Sequence, residues 1–534
     1  MRMGFYNYNL TIDKLLDYGA SVYPDREIVY RDRRRYSFSL FSENVKSFAQ
    51  SLIKIGVKPG DKVAVVDWDT DVYMTAYYSV PMIGAVLHTV NVRYPPELIL
   101  KTVLHAEDSW VIIRDEFVPL LEKGKNLLSR FKGVITYNDD KEKIKTSFPT
   151  YDFWELQESG ERLSQQEIKE DMQATVFYTS GTTGDPKGVW FTHRDLVLHS
   201  MSVALTTSKP PLRSSQEDNF MILVPMFHVH QWGFPYVTML VGSNYVLPGR
   251  YDPAMEIELM KREHVTFSAM VPTILYMILS HPNAQKNQDL FKGWKVMIGG
   301  AALPSGLAHL ARKMGINIAV GYGMSETAPV LTVGYYNSLV ERLNEEERFL
   351  EQIKTGVPIP LAQIRVVDER GQDVPRDEKT VGEIVARAPW LTRSYYKDEE
   401  RTNKLWKDSW LHTGDLAVVD KYGYIRIVDR DKDAIKSGGE FIPSLILEDI
   451  ISTHPKVGEV AIVGVKDEKW GERPVAFIVP KGEVKEEEIV EFLMEKVEEG
   501  KLQKWWIPDK VVFLKEFPKT STNKIDKKTL RTQV

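Results

Sequence analysis

The chain is 534 residues long, enough for at least two domains and a large core. Its 69 basic and 74 acidic side chains leave a formal net charge of −5, which argues against a protein that coats nucleic acid and leaves small charged substrates open. Without cysteine there is no disulfide framework, thiolate nucleophile or cysteine-ligated metal, and the simplest compartment is the cytoplasm. The opening Met1–Leu10 lacks the apolar core of a secretory signal, and the most apolar stretch, Ala269–Leu279, falls far short of the roughly 20 residues that span a membrane.

From Thr11 to about Tyr151, helical patterns alternate with short apolar strands. Val63–Val66 follows the turn Lys58–Asp61, and Trp110–Ile113 follows a helix-like stretch from Pro95 to His105, the rhythm of a parallel sheet. Next comes Tyr178-Thr-Ser-Gly-Thr-Thr-Gly-Asp-Pro-Lys-Gly-Val189. Here Gly181 and Gly184 let backbone N–H groups turn toward bound oxygens, Thr179, Ser180, Thr182 and Thr183 add hydroxyl donors, and Lys187 adds charge: the composition of a phosphate grip. It is not the common nucleotide loop, because Lys187 follows Pro186 and the chain runs on into the strand-like Gly188–Phe191. A glycine-rich hairpin turn is the plainer alternative.

A second series of buried strands follows, Phe220–Val224, Thr266–Ala269, Lys295–Ile298 and Ile316–Val320, joined by helix-length connections. From about residue 355 the texture changes. Gln363–Val367, Glu383–Ala386 and Tyr424–Val428 are short strands set between Gly, Pro and Asp turns, a small β-rich subdomain. The polar run Asp429–Asp433 interrupts it, and beyond lies an α+β unit with a helical stretch Glu486–Glu499 and a basic tail, Pro518–Lys528. The class expected is α/β, with stacked α/β subdomains and the β-rich one making a large N-terminal part over 1–428.

Four further segments stand in order after the loop: Gly321-Tyr-Gly-Met-Ser-Glu-Thr327, His412-Thr-Gly-Asp415, Asp429–Glu440 and Lys519-Thr-Ser-Thr-Asn-Lys524. With the loop they resemble the adenylate-forming superfamily, specifically the fatty acyl-CoA synthetases. Val90–Arg93 and His105–Asp108 extend the likeness toward the N-terminus. The segment Val224–Tyr236 is similar to the medium- and long-chain branch, which includes bacterial long-chain synthetases and methylthiopropionate-CoA ligases.

Activating a carboxylate places its oxygen on the α-phosphorus of ATP while two anions approach, so electrostatic stabilisation must dominate. Lys187 and the loop hydroxyls suit the β- and γ-phosphates, and Glu326 suits Mg²⁺, a hard cation that prefers oxygen, although Ser325-Glu-Thr also reads as a helix start. Asp415 suits paired ribose hydroxyls, although alone it reads as a turn residue. The resemblance implies these roles and adds others. Thr182 joins Glu326 at Mg²⁺, Tyr322 between Gly321 and Gly323 stacks on adenine with Met324 beside it, Gly300-Ala301-Ala302 walls the other side, Ser325 donates to the α-phosphate, and Arg430 stands beside Asp415. Trp232 gates the fatty-acyl tunnel with Val229 and Gly323, and His228 lies beside the acyl carboxylate; on local sequence the two also fit simple packing and a core histidine. Trp390 is a candidate for the thiol or acyl passage.

Lys524, by composition a solvated tail lysine, is by resemblance the cation that bridges the incoming carboxylate and the α-phosphate. Asn523 replaces the usual preceding glycine, and tolerates a left-handed backbone better than other non-glycine residues. The resemblance further implies a hinge at 429–433, with Lys432 absorbing the rotation of a smaller, mobile α+β C-terminal domain over 434–534. Rotation would turn Lys436, Gly438 and Gly439 toward the site, with Phe441 on the coenzyme A side where relatives tend to have tryptophan. The implied enzyme is a homodimeric, ATP- and Mg²⁺-dependent acid:CoA ligase that forms an acyl-adenylate, then a thioester with coenzyme A, and releases AMP and pyrophosphate. Its acid would be a medium- or long-chain fatty acid, or alternatively a short, hydroxy- or methylthio-substituted one. A nucleotide-binding scaffold without turnover has no chemical need for Lys187, Glu326 and Lys524 together.

Overall fold

The computed structural model describes residues 8–160, 167–179, 186–430, 433–438 and 440–534. Ser180, Gly181, Thr182, Thr183, Gly184, Lys432 and Gly439 lie outside the described residues.

Val63–Val66 is buried on both faces, and a run without alternation belongs inside a parallel sheet covered on each side. There it pairs in parallel with Val86–Thr89 and Trp110–Arg114, and the sheet runs on through Gly133–Tyr137 to Thr150–Asp152. Gln173–Thr179 (β1) joins the other side in parallel, and Lys187–Thr192 (β2) pairs antiparallel to it, which makes seven strands among the described residues. Lys187 therefore stands opposite Thr179 in this antiparallel pair.

Among the described residues the second sheet has nine strands. Phe267–Met270, Lys295–Ile298 and Asn317–Gly323 (β3) run parallel in its middle, with the antiparallel Val330–Val333 beyond β3. The expected strand 220–224 is shorter, Asn219–Phe220, but its backbone stays tied to the sheet through Met221 N–H to Phe267 O (3.0 Å) and Leu223 N–H to Ala269 O (2.9 Å). Glu27–Tyr30, from the start of the chain, pairs parallel with Asn244–Leu247. One continuous apolar core joins the two sheets, drawing Val63 and Ile112 from one and Ile28, Tyr245 and Phe267 from the other around the helix residues Val45 and Phe48.

After the helix Ser305–Lys313 (α1), the antiparallel β-rich sheet holds Gln363–Val367, Gly382–Arg387, Trp410–Val419 (β4) and Ile425–Arg430 (β5). The C-terminal unit has a core of its own, in which Leu447 and Ile451 of Ser444–Ser452 (α2) and Ile489 and Leu493 of Glu486–Glu498 (α3) pack on Ile462 and Ile478 of the hairpin 457–480. A large N-terminal part and a smaller C-terminal one thus make up the mixed α/β chain. Among the described residues no helix is long and apolar enough to cross a membrane.

Candidate active site

A cleft of about 2100 Å³ opens where the strand ends of the N-terminal part meet the C-terminal unit. Its wall brings together Lys187, Glu326, Tyr322, Asp415, His228 and Lys524. Thr179, Gly300, Ala301 and Ala302, the remainder of the segment 321–326, Val229, Trp232 and Arg430 line the same space.

Tyr322 lies in β3, and its hydroxyl donates to Asp415 Oδ2 at 2.7 Å. Asp415 and Arg430 face each other across β4 and β5, with Arg430 Nε 3.0 Å from Asp415 Oδ1. The Asp415 carboxylate holds the Arg430 guanidinium above its ordinary range. Each carboxylate oxygen keeps a lone pair that a ligand hydroxyl could donate to, and the pinned phenol fixes the plane of the ring. The glycines beside Tyr322 serve close packing: a Cβ on Gly323 would lie 1.7 Å from Pro329 O, and one on Gly321 would lie 2.5 Å from Met297 Cε.

Glu326 is buried at 7% exposure, and the Tyr395 hydroxyl donates to its Oε1 at 2.5 Å. Lys187 Nζ lies 3.5 Å from the same hydroxyl and 4.7 Å from the ring centroid, so Tyr395 joins the carboxylate to the lysine. Proximity to Glu326, after burial, raises the Tyr395 phenol and keeps it a donor. No residue near Tyr395 in sequence marks it, because the link to Glu326 spans the two chain segments only in the fold. Among the described residues no three His, Cys, Asp or Glu groups cluster as a metal site. Mg²⁺ fits this donor set all the same, as a small ion that takes one or two carboxylates and fills its remaining positions with phosphate and water. Held by Glu326, it would neutralise phosphate charge.

His228 and Trp232 are placed by an unusual backbone. Val229, His230, Gln231 and Trp232 have φ of 47°, 54°, 51° and 58°, a left-handed run that costs about 1–2 kcal/mol per non-glycine residue. Tertiary bonds hold it: Gln231 Nε2 donates to Ile222 O at 3.2 Å and accepts at Oε1 from the Tyr245 hydroxyl at 2.6 Å, while His230 is wedged edge-on against Phe177 and Phe191. The Trp232 ring lies over Gly299, where a Cβ would fall 2.9 Å from Trp232 Cη2. Burial, and then the Lys524 cation, lowers the His228 imidazole to about 3, so the ring is neutral near pH 7. Trp390 is fully buried against His199, 5.7 Å away between ring centroids, and does not line the cleft.

Lys524 enters on a tight loop. Thr520 N–H donates to Lys524 O at 2.8 Å, Lys524 N–H donates to Thr520 Oγ1 at 3.2 Å, and Asn523 takes the left-handed φ of 60°. Gly300 makes room: with φ of 78°, it would place a Cβ 3.1 Å from Lys524 Cε. The loop apex is held from the N-terminal part, where Asn91 Nδ2 donates to Ser521 Oγ at 3.0 Å and the Arg93 guanidinium donates to Ser521 O at 3.2 Å. Burial, then Arg430, lowers the Lys524 ammonium to about 8, against the opposite pull of Asp415. Lys436, Gly438 and Phe441 are not brought to this cleft. They sit on the edge hairpin 435–442, where Lys436 N–H donates to Glu472 Oε2 at 3.0 Å and Gly438 N–H to Trp470 O at 2.7 Å.

The sequence pattern of the family described as AMP-binding enzyme matches residues 16–396, and that of the AMP-binding enzyme C-terminal domain matches 447–524. The chain is 38% identical to a long-chain-fatty-acid–CoA ligase of Thermus thermophilus, over 98% of this chain and 95% of that one. It is 35% identical to a 3-methylmercaptopropionyl-CoA ligase of Ruegeria lacuscaerulensis, over 98% and 97%. Its fold superposes on a crystal structure of an anthranilate CoA ligase in complex with anthranoyl-AMP with a TM-score of 0.86, at 21% identity and over 99% and 98% of the two chains.

Proposed function

This chain belongs to the AMP-binding enzyme family and is an acid:CoA ligase that works through an acyl-adenylate, and we propose that its acid is a medium- or long-chain fatty acid. The observation that supports the acid class is the apolar stretch of the cleft wall, where Trp232 covers Gly299 and Phe227, Val229 and Met297 line the same space. Such a wall solvates methylene groups and offers little to a polar tail. The likeness to the Thermus ligase supports the same class.

In this reading the Tyr322 ring carries adenine, Asp415 and Arg430 take the ribose, and Lys187 takes the outer phosphates with the loop 180–185. Glu326 holds Mg²⁺. Lys524 sets its ammonium between the acid carboxylate and the α-phosphate, where charge develops as the new P–O bond forms and pyrophosphate leaves. The C-terminal unit then turns about Lys432, Lys436 with Gly438 and Gly439 faces the cleft, and the thiol of coenzyme A displaces AMP. A cytoplasmic homodimer joined through the N-terminal part completes the proposal, with light scattering as its readout.

Acid-dependent exchange of labelled pyrophosphate into ATP, run with straight acids from C2 to C18 and with hydroxy- and methylthio-substituted short acids, tests the substrate. A kcat/KM maximum at C8 or longer is expected. A maximum on methylthiopropionate or a hydroxyalkanoate would replace the fatty-acid assignment with the one the Ruegeria relative suggests.

A further inference from the structure

The N-cap of α1 is Pro304, which offers no side-chain acceptor, so the free N–H groups of the first turn need partners from elsewhere. The C-terminal unit supplies them. Ser305 N–H donates to Asp449 Oδ1 at 2.8 Å, and Gly306 N–H reaches Ser452 Oγ at 3.4 Å, with both acceptors on α2. Gly306 is the point of closest approach. A Cβ there would lie 2.4 Å from the Ser452 carbonyl oxygen and 3.1 Å from its carbon. A flexible side chain would yield to such a clash, but helix backbone yields only if α2 moves as a body.

The segment that carries Lys524 is tied to α2. Lys527, three residues on, has its Nζ 2.6 Å from Glu448 Oε1 and 3.2 Å from Ser444 Oγ, both on α2. We propose that the seam of Ser305 and Gly306 against Asp449 and Ser452 is a docking stop that sets how deeply Lys524 enters the cleft, making Gly306 and Asp449 positioning residues for acyl-adenylate formation. The inference rests on the proposed role of Lys524. The seam serves that step alone, because in the same docked arrangement Lys436, Gly438 and Phe441 are away from the cleft.

Gly306→Ala and Gly306→Val test it. Alanine is the better helix former, so α1 itself is not weakened by the first change. An ångström of misplacement costs on the order of 10²-fold in a positioned reaction. Acid-dependent pyrophosphate exchange should therefore fall roughly 10- to 100-fold in Gly306→Ala and further in Gly306→Val, with thioester formation from supplied acyl-adenylate held within about twofold of wild type. Asp449→Ala should lower exchange and Asp449→Asn, which keeps an Oδ1 acceptor, should restore most of it. Modification of Lys524 by an amine-acylating reagent, followed by mass spectrometry, should speed up in Gly306→Val whatever the reaction catalysed. Equal loss in both half-reactions, unaltered exchange in Gly306→Ala, or unaltered Lys524 labelling would each overturn the docking stop. If wild type shows no acid-dependent exchange, the functional reading is what fails, and the labelling result alone decides the seam.

Discussion

The two walls of the cleft are held in different ways. Tyr322, Glu326 and Asp415 stand on strand ends and turns of the N-terminal part, at exposures of 9%, 7% and 4%, with their polar atoms paired inside that part. Lys524 comes from a unit with its own core, and its loop is tied across the cleft by the bonds of Asn91 and Arg93 to Ser521. A hydrogen bond of that sort contributes about 0.5–1.5 kcal/mol net. The first wall is therefore as rigid as the core beneath it. The second is secured by terms small enough to be made and broken within a catalytic cycle.

Lys524→Ala removes the cation that the second wall sends into the first. Removing a charge aimed at the transition state costs on the order of 10²- to 10³-fold, so pyrophosphate exchange should fall by that much while a supplied acyl-adenylate still reacts with coenzyme A. Equal losses in the two half-reactions would take Lys524 out of the adenylation step. On the rigid wall, Tyr395→Phe removes the hydroxyl that orients Glu326, and loss of such a partner typically weakens metal affinity by 10- to 100-fold. A Mg²⁺ titration of exchange activity should move by about the lower figure. No movement would mean that the carboxylate is oriented without Tyr395.

Trp232→Ala sharpens the acid assignment with a smaller effect. The binding of a C10 to C16 acid with and without a non-hydrolysable ATP analogue should differ in wild type and converge in the variant, because a gate acts through the difference between its two positions. Gain of activity on longer acids with unchanged ATP coupling would make Trp232 the floor of a short pocket instead.

Several strands were legible almost to the residue, Lys295–Ile298 and Gln363–Val367 having the bounds their patterns predict, whereas the apolar run Phe220–Val224 is strand only at its first residue. The sequence also picked out Lys187, Tyr322, Glu326, Asp415, Arg430 and Lys524, from separate segments, which the fold brings to one cleft, while Lys436, Gly438 and Phe441 stand away from it. What it hid is non-local. The pairing of Glu27–Tyr30 with Asn244–Leu247 depends on a register that no local pattern encodes, and Tyr395 meets Glu326 only across the assembled chain. The left-handed run at Val229–Trp232 is opposed by the intrinsic preference of each of its non-glycine residues, so it exists only where Tyr245, Phe177 and Phe191 enforce it. The glycines around Tyr322 were legible as glycines but not as the packing requirement they meet at Pro329 and Met297.

The smallest expected effect is a proton. Burial and Arg430 bring the Lys524 ammonium to about 8, so above that pH the ligand-free enzyme increasingly holds a neutral amine. ATP phosphates beside it favour the charged form and raise its pKa in the complex. Between the two values the complex binds more protons than the free enzyme, so ATP binding takes up a proton and its affinity falls as pH rises through about 8. Calorimetry in buffers of different ionisation enthalpy should register uptake approaching one proton per ATP above that pH and little near pH 7. Lys524→Arg separates this from other titrations, since a guanidinium stays charged throughout and should abolish both the uptake and the alkaline loss of affinity. If the arginine variant keeps the uptake, the proton belongs to another group, and the docked lysine is already charged before ATP arrives.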